Sequence, residues 1–204
     1  MSIQAIFFDL GGVLYHPPNM VWAKRWQMIL GLKNNPIVMD VLSSGSNSEY
    51  MKDVMIGKIP EAEVWEMVTK QWKINPGLFQ RMRRGALSKK RWNKELADFV
   101  SGLRPSYKTA ILSNAGSDAR KMFNDVFQIE RLVDQVIISA EERVAKPDER
   151  IYQIAIDRLG VRPEEAVFVD DVPENVAAAQ RFGMKAIRFL NNPQAIAEVQ
   201  KFLE

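Results

Sequence analysis

Residues 7–14 read FFDLGGVL. An apolar run ends in a single carboxylate, Asp9, and two glycines follow it before the chain turns apolar again. Three more apolar runs behave like AIFF (5–8): TAIL (109–112), QVII (135–138) and AVFV (166–169). A fifth, KAIRF (185–189), carries charges. None alternates cleanly between apolar and polar residues, the pattern of parallel strands covered on both faces.

Helical patterns separate most of these runs. One starts at Lys146-Pro147, carries Ile151, Ile154, Ala155, Ile156 and Leu159 on one side, and reaches a stop at Gly160. A second starts at Pro173 and stops at Gly183, and a third starts near Pro193. Alternating strands and helices predict an α/β fold, an open parallel Rossmann-like sheet.

Segment 16–101 breaks the rhythm and reads as helices only. Trp22, Trp26, Ile29 and Leu30 share one face; Ile37, Val38, Val41 and Leu42 suggest a second helix. Tyr50, Met51, Val54 and Met55 form a third, ended by Gly57, and Val64, Trp65, Val68 and Trp72 form a fourth after Pro60. Trp92, Leu96, Phe99 and Val100 suggest one more behind a Ser88 cap, packed back on the sheet. All five tryptophans fall in this segment, at a spacing that predicts core positions. The expected division is a core of residues 1–15 and 88–204 with a helical unit, 16–87, inserted after the first strand.

The chain has 204 residues, a size for one domain with a small insertion. It has no cysteine, which removes disulfides, thiolate metal sites and cysteine nucleophiles. No apolar stretch approaches the roughly 18 residues of a membrane span. The start, MSIQAIFF, lacks the basic head and long apolar core of a signal peptide, so a cytoplasmic protein is expected. From Tyr15 to Trp92 there are 13 basic and 6 acidic residues, whereas the remainder has 15 basic and 19 acidic. The basic surplus fits solvated helix faces or a field that attracts an anionic ligand. It is scattered, and no nucleic-acid motif accompanies it.

In open parallel sheets ligands bind at the carboxyl ends of the strands. There the sequence puts Asp9, then Ser113-Asn114, then Lys146 ahead of a helix, then Asp170-Asp171. Singly, each has a bland alternative: Asp9 as a turn residue, Ser113-Asn114 as a helix cap, Asp170-Asp171 as a turn and cap. Together they form a cluster of three carboxylates that a cation must neutralise. Oxygen-only ligands suit a hard ion such as Mg²⁺. A metal, a lysine and a hydroxyl are what an incoming phosphoryl group requires.

At this point the chain resembles the haloacid dehalogenase-like (HAD) superfamily, in the branch with a small helical cap after the first motif. The motifs are IFFDLGGVL, ILSNAG, Lys146 in VAKPDERIY, and VFVDDVPEN, linked by IYQIAIDRLGVRPEEAVFVDD; GKIPEAEVW resembles a recurrent stretch of the cap. The resemblance implies that Asp9 is nucleophile and Mg²⁺ ligand, with the Gly11 carbonyl, Asp171 and Asp170 completing the protein ligands. It implies that Ser113 holds phosphate oxygens, that Lys146 offsets charge, that Asn114 adds a contact, and that Asn175 orders the Asp171 loop. Gly12 would let the backbone turn closely around the phosphate.

The departure is Gly11. Phosphatases of the family usually carry an aspartate there as general acid, a role worth about 10² to 10⁴ in rate. Three readings stay open: a phosphatase in which another group supplies the proton, a dehalogenase, or a binding protein for a phosphorylated metabolite or a partner. His16, the single histidine, has a suitable unperturbed pKa of roughly 6.5. The aspartate pair counts against a metal-free dehalogenase. The expectation is therefore Mg²⁺-dependent hydrolysis of a small phosphorylated metabolite. Good leaving groups, such as an anomeric sugar hydroxyl, would be favoured. Trp22, Arg25 and His16 are candidate cap-side contacts, and the oligomeric state is unread.

Overall fold

The computed structural model describes residues 2–17, 49–71, 73–88 and 91–204. The expected helices around Trp22 and Ile37, together with Arg25, lie outside these residues. A parallel five-stranded sheet has β1 (Ala5–Phe8) at its centre. The others are β2 (Lys108–Ser113), β3 (Gln135–Ile138), β4 (Ala166–Asp170) and β5 (Lys185–Arg188). Their order is β3-β2-β1-β4-β5, and β1 pairs in register with both β2 and β4.

Period-two alternation sends Ile6 and Phe8 to one face and Ala5 and Phe7 to the other, and all four are buried. On the first face lie α4 (Lys94–Leu103), α5 (Ala119–Phe127), the short α6 (Ile129–Leu132) and α10 (Asn192–Leu203). They bring Leu96, Val100, Phe123, Ile129 and Val199 to Phe8 and its neighbours. On the second face lie α8 (Glu149–Leu159) and α9 (Pro173–Phe182), with Ile151, Ala155, Ala178 and Ala179. Burying each phenylalanine ring of β1 contributes roughly 1.5–3 kcal/mol. The two-sided burial explains why FF needed no polar partner before Asp9.

Between β1 and α4 come α1 (Glu49–Met55), α2 (Glu61–Gln71) and α3 (Pro76–Ala86). A further described helix, α7 (Ser139–Glu142), is a single turn after β3. Gly57 ends α1 in left-handed backbone, as expected. Helix α3 was not anticipated, although Asn75 caps it through Gly77 N and Leu78 N and Pro76 opens it. Nor were α5 and α6.

Helix α4 does pack on the sheet, but its cap is Asn93 rather than Ser88. The Asn93 Oδ1 accepts from Leu96 N, so Trp92 precedes the helix. Asn93 also donates to the Val13 carbonyl at 2.9 Å, which ties the Asp9 loop to α4. Trp65 and Trp92 are half-buried, each against a phenylalanine, Phe79 and Phe127 respectively. Helix α8 starts at Glu149 behind an Asp148 cap, which leaves Lys146 on the preceding loop.

Candidate active site

Strand β1 stands between β2 and β4 in a sheet whose connections run out to either side of it, the position where the strand ends of such a sheet open into a crevice. Asp9 lies one residue past β1 and still pairs, its N–H donating to the Val169 carbonyl at 2.8 Å. Ser113 closes β2 and Asp170 closes β4, both buried. Neither Asp170 nor Asp171 caps α9, which starts at Pro173 without a side-chain cap.

Lys146 joins the strand ends. Its side chain is 1% exposed, and the ammonium donates to Asp9 Oδ1 at 2.8 Å, to Asp170 Oδ2 at 2.7 Å and to the Leu112 carbonyl at 2.9 Å. Those are all three of its protons. It also stands 5.2 Å from the centre of the Phe168 ring. Burial disfavours the ammonium, but the Asp9 and Asp170 charges more than offset this and hold its pKa above the ordinary lysine value. Burial drives the Asp9 carboxyl the other way, up to about 7; Lys146 opposes the rise and Asp170 adds to it.

The placement of Lys146 is fixed by its neighbours. Asn114 exchanges two hydrogen bonds with the Lys146 backbone: Nδ2 donates to the Lys146 carbonyl at 2.8 Å, and Lys146 N donates to Oδ1 at 2.9 Å. Asn175 Nδ2 donates to both Asp170 oxygens, at 3.2 and 3.1 Å, and Val172 N donates to Asp170 Oδ1 at 2.8 Å. The side chain of Asn175 thus holds Asp170, the residue that opens the Asp171 loop. Behind it, the Tyr152 hydroxyl donates to the Asn175 carbonyl at 2.9 Å. Burial raises the Tyr152 pKa, so this donor stays protonated. Sequence reasoning does not single out Tyr152; the one usable signal is a hydroxyl on the buried side of that helix.

Asp170 is thereby satisfied, whereas Asp171 is not. Its Oδ1 is buried without a hydrogen-bond partner. Burial and the nearby Asp170 charge both raise its pKa. Asp9, Asp170 and Asp171 each present an oxygen within 4.8 Å of the others. An orphaned buried acceptor costs about 1–3 kcal/mol. A cation bound among these oxygens would remove that penalty and the mutual repulsion, and an all-oxygen set suits a hard divalent ion. The residues therefore fit such a metal.

The glycines differ sharply. Gly12 has φ +87°, and a Cβ there would lie 2.3 Å from Asp171 Oδ2, so this backbone must be bare for the carboxylate to sit against it. At Gly11 a Cβ would meet nothing within 4 Å. His16 is exposed on the chain leaving this loop, its N–H donating to the Arg91 carbonyl at 2.9 Å. Among the described residues no hydrogen bond joins its ring to Asp9, Lys146 or the aspartate pair.

The chain belongs to the haloacid dehalogenase-like hydrolases, whose family profile matches residues 3–183. A HAD-like family hydrolase from Porphyromonas gingivalis superposes on 100% of this chain and 99% of its own, with a TM-score of 0.77 at 25% identity. A HAD family enzyme from Bacteroides thetaiotaomicron, solved with magnesium and inorganic phosphate, shares the fold over 92% of this chain and 94% of its own; the TM-score is 0.75 at 22% identity. The (S)-2-haloacid dehalogenase 1 of Pseudomonas sp. (strain CBS-3) is 37% identical over 90 residues, 43% of this chain and 40% of that protein. The chain thus spans less than half the length of this curated relative. No helix among the described residues is long and apolar enough to cross a membrane.

Proposed function

We propose that this hydrolase is a phosphatase of small phosphate monoesters that uses Mg²⁺ and forms an aspartyl-phosphate on Asp9. The observation that carries the reading is the buried, unpartnered Asp171 oxygen inside a three-carboxylate cluster beside Lys146. Asp9, Asp171, Asp170 and the Gly11 carbonyl are the groups that would hold the ion. When bound, it neutralises the carboxylates and offsets charge on the phosphoryl oxygens.

Lys146 grips Asp9 Oδ1, which leaves the other oxygen to attack phosphorus. The P–O ester bond breaks and the alkoxide leaves, taking its proton from water because Gly11 offers none. Water then attacks the phosphorus of the acyl phosphate, releasing inorganic phosphate and restoring the Asp9 carboxylate. The Ser113 hydroxyl and nearby backbone N–H groups hold phosphate oxygens, and Asn114 acts by fixing Lys146. The segment 16–87 serves as a cap over the strand ends that selects substrate and excludes water. The vacancy at Gly11 favours good leaving groups, such as an anomeric sugar hydroxyl.

The dehalogenase likeness, 37% over 90 residues, favours a second reading: Asp9 displaces halide from a 2-haloacid. A release screen separates the two. Phosphate monoesters should yield phosphate only with Mg²⁺, and chloroacetate should yield no chloride. Chloride release without metal, and no phosphate from any ester, would reverse the assignment.

A further inference from the structure

We propose that Ser139 is a positioning residue whose hydroxyl both docks the inserted helices on the sheet edge and, through the loop after β2, holds Lys146 in place. Ser139 opens the single turn after β3 and is fully buried. Its Oγ donates to the Met55 carbonyl, the last residue of α1, at 2.6 Å. The same oxygen accepts from Ala115 N at 3.0 Å, and the Ala115 carbonyl lies 3.3 Å away. A hydroxyl has one proton and two acceptor sites. The short contact assigns the proton to Met55, which leaves a lone pair for Ala115 N.

Two glycines show how closely the helices approach at this point. A Cβ on Gly57 would lie 2.3 Å from the Ala140 carbonyl oxygen, and a Cβ on Gly116 would lie 2.5 Å from Glu61 Oε2. The turn between α1 and α2 therefore rests directly on the loops after β2 and β3.

From Ala115 the chain of contacts continues without a gap. Ala115 follows Asn114, Asn114 exchanges two hydrogen bonds with the Lys146 backbone, and Lys146 binds Asp9 at 2.8 Å. Removing the Ser139 hydroxyl strips α1 of its anchor and leaves Ala115 N without an acceptor. The loop that aligns Asn114 then loses its outer support. Docking of the inserted helices and placement of the Lys146 ammonium are, in this account, one linked event. Contact alone does not establish such a link; coupling between the two ends does.

Two measurements test it, and the first needs no substrate. By NMR hydrogen exchange, Ser139→Ala should speed exchange several-fold at the amides of 49–59 and also at the Lys146 amide, whose N–H is bonded to Asn114. Faster exchange confined to 49–59 would make Ser139 a docking residue only and would overturn the link. The second rests on the phosphatase reading. With p-nitrophenyl phosphate and Mg²⁺, on variants shown to be folded at the assay temperature, Ser139→Ala should lower kcat on the order of tenfold and leave KM nearly unchanged. In an Asn114→Ala background the same substitution should do little more. Fully additive losses, or an unchanged kcat, would overturn the proposal. A wild-type chain that releases no phosphate would sink the phosphatase reading alone, because the exchange result stands without it.

Discussion

On the proposed phosphatase reading, replacing Gly11 with aspartate should free turnover from its dependence on the leaving group. The structure permits the change: a Cβ at position 11 meets no heavy atom within 4 Å, and Gly11 is not among the glycines held at positive φ. The residue is exposed, two positions beyond Asp9, on the loop that Asn93 ties to α4 through Val13. A carboxylic acid there can protonate a departing alkoxide and then draw a proton from the attacking water. General acid–base help of this kind is worth about 10² to 10⁴ in rate, or roughly 3–5 kcal/mol of barrier. The gain should be confined to poor leaving groups. The assay is kcat/KM for glucose 6-phosphate and for p-nitrophenyl phosphate, in wild type and Gly11→Asp, with Mg²⁺. The ratio of the two constants should rise by about 10² or more, while the aryl ester changes little. An equal change on both substrates, or no change on either, would show that the missing acid does not limit turnover and would refute the reasoning.

The other predictions concern the buried charges and the second glycine. Lys146→Met leaves Asp9 and Asp170 facing each other without their cation, and urea unfolding should reveal a loss of about 3–5 kcal/mol. Adding Asp170→Asn should recover part of it. Asp9 rises from 3.8 to about 7 on folding without metal, so between those values the folded chain holds the extra proton. Its contribution to stability is therefore present below the lower value and is lost as pH rises to the upper one. The stability of wild type relative to Asp9→Asn, followed by urea midpoints without metal, should fall across that window; a flat difference would contradict the raised pKa. Gly12→Ala drives a methyl into Asp171 and strains a residue at φ +87°. The Tm gain that Mg²⁺ gives the wild type should disappear in this variant even where it stays folded.

Strand ends were the legible part of the site because their chemistry is local. AIFF, TAIL, QVII and AVFV have no face that water could cover, and the residues that follow them fall at one edge of any parallel sheet. The stops at Gly57, Gly160 and Gly183 were readable for the same local reason, since each adopts left-handed backbone. What escaped depends on long-range partners. Asn93 outcompetes Ser88 as a cap because it also reaches Val13 and Asn192, far away in sequence. Asn175 faces Asp170 because Lys146 and Tyr152 hold that pair from two sides, and no spacing rule encodes it. Likewise Asp171 lies against Gly12, a neighbour far away in sequence that no local pattern names. Helix α3 was obscured by Gly77, Gly85 and a run of basic residues, although its Asn75-Pro76 start was visible.

The central claim is that Asp9 becomes covalently phosphorylated. It is tested most directly by mixing the protein with p-nitrophenyl phosphate and Mg²⁺, quenching in acid within one turnover, and weighing the peptide that contains residues 5–15. The account predicts a mass gain of one phosphoryl group on Asp9, lost on treatment with hydroxylamine and absent from Asp9→Asn. Continued phosphate release by Asp9→Asn, or an unmodified Asp9 peptide during active turnover, would contradict it.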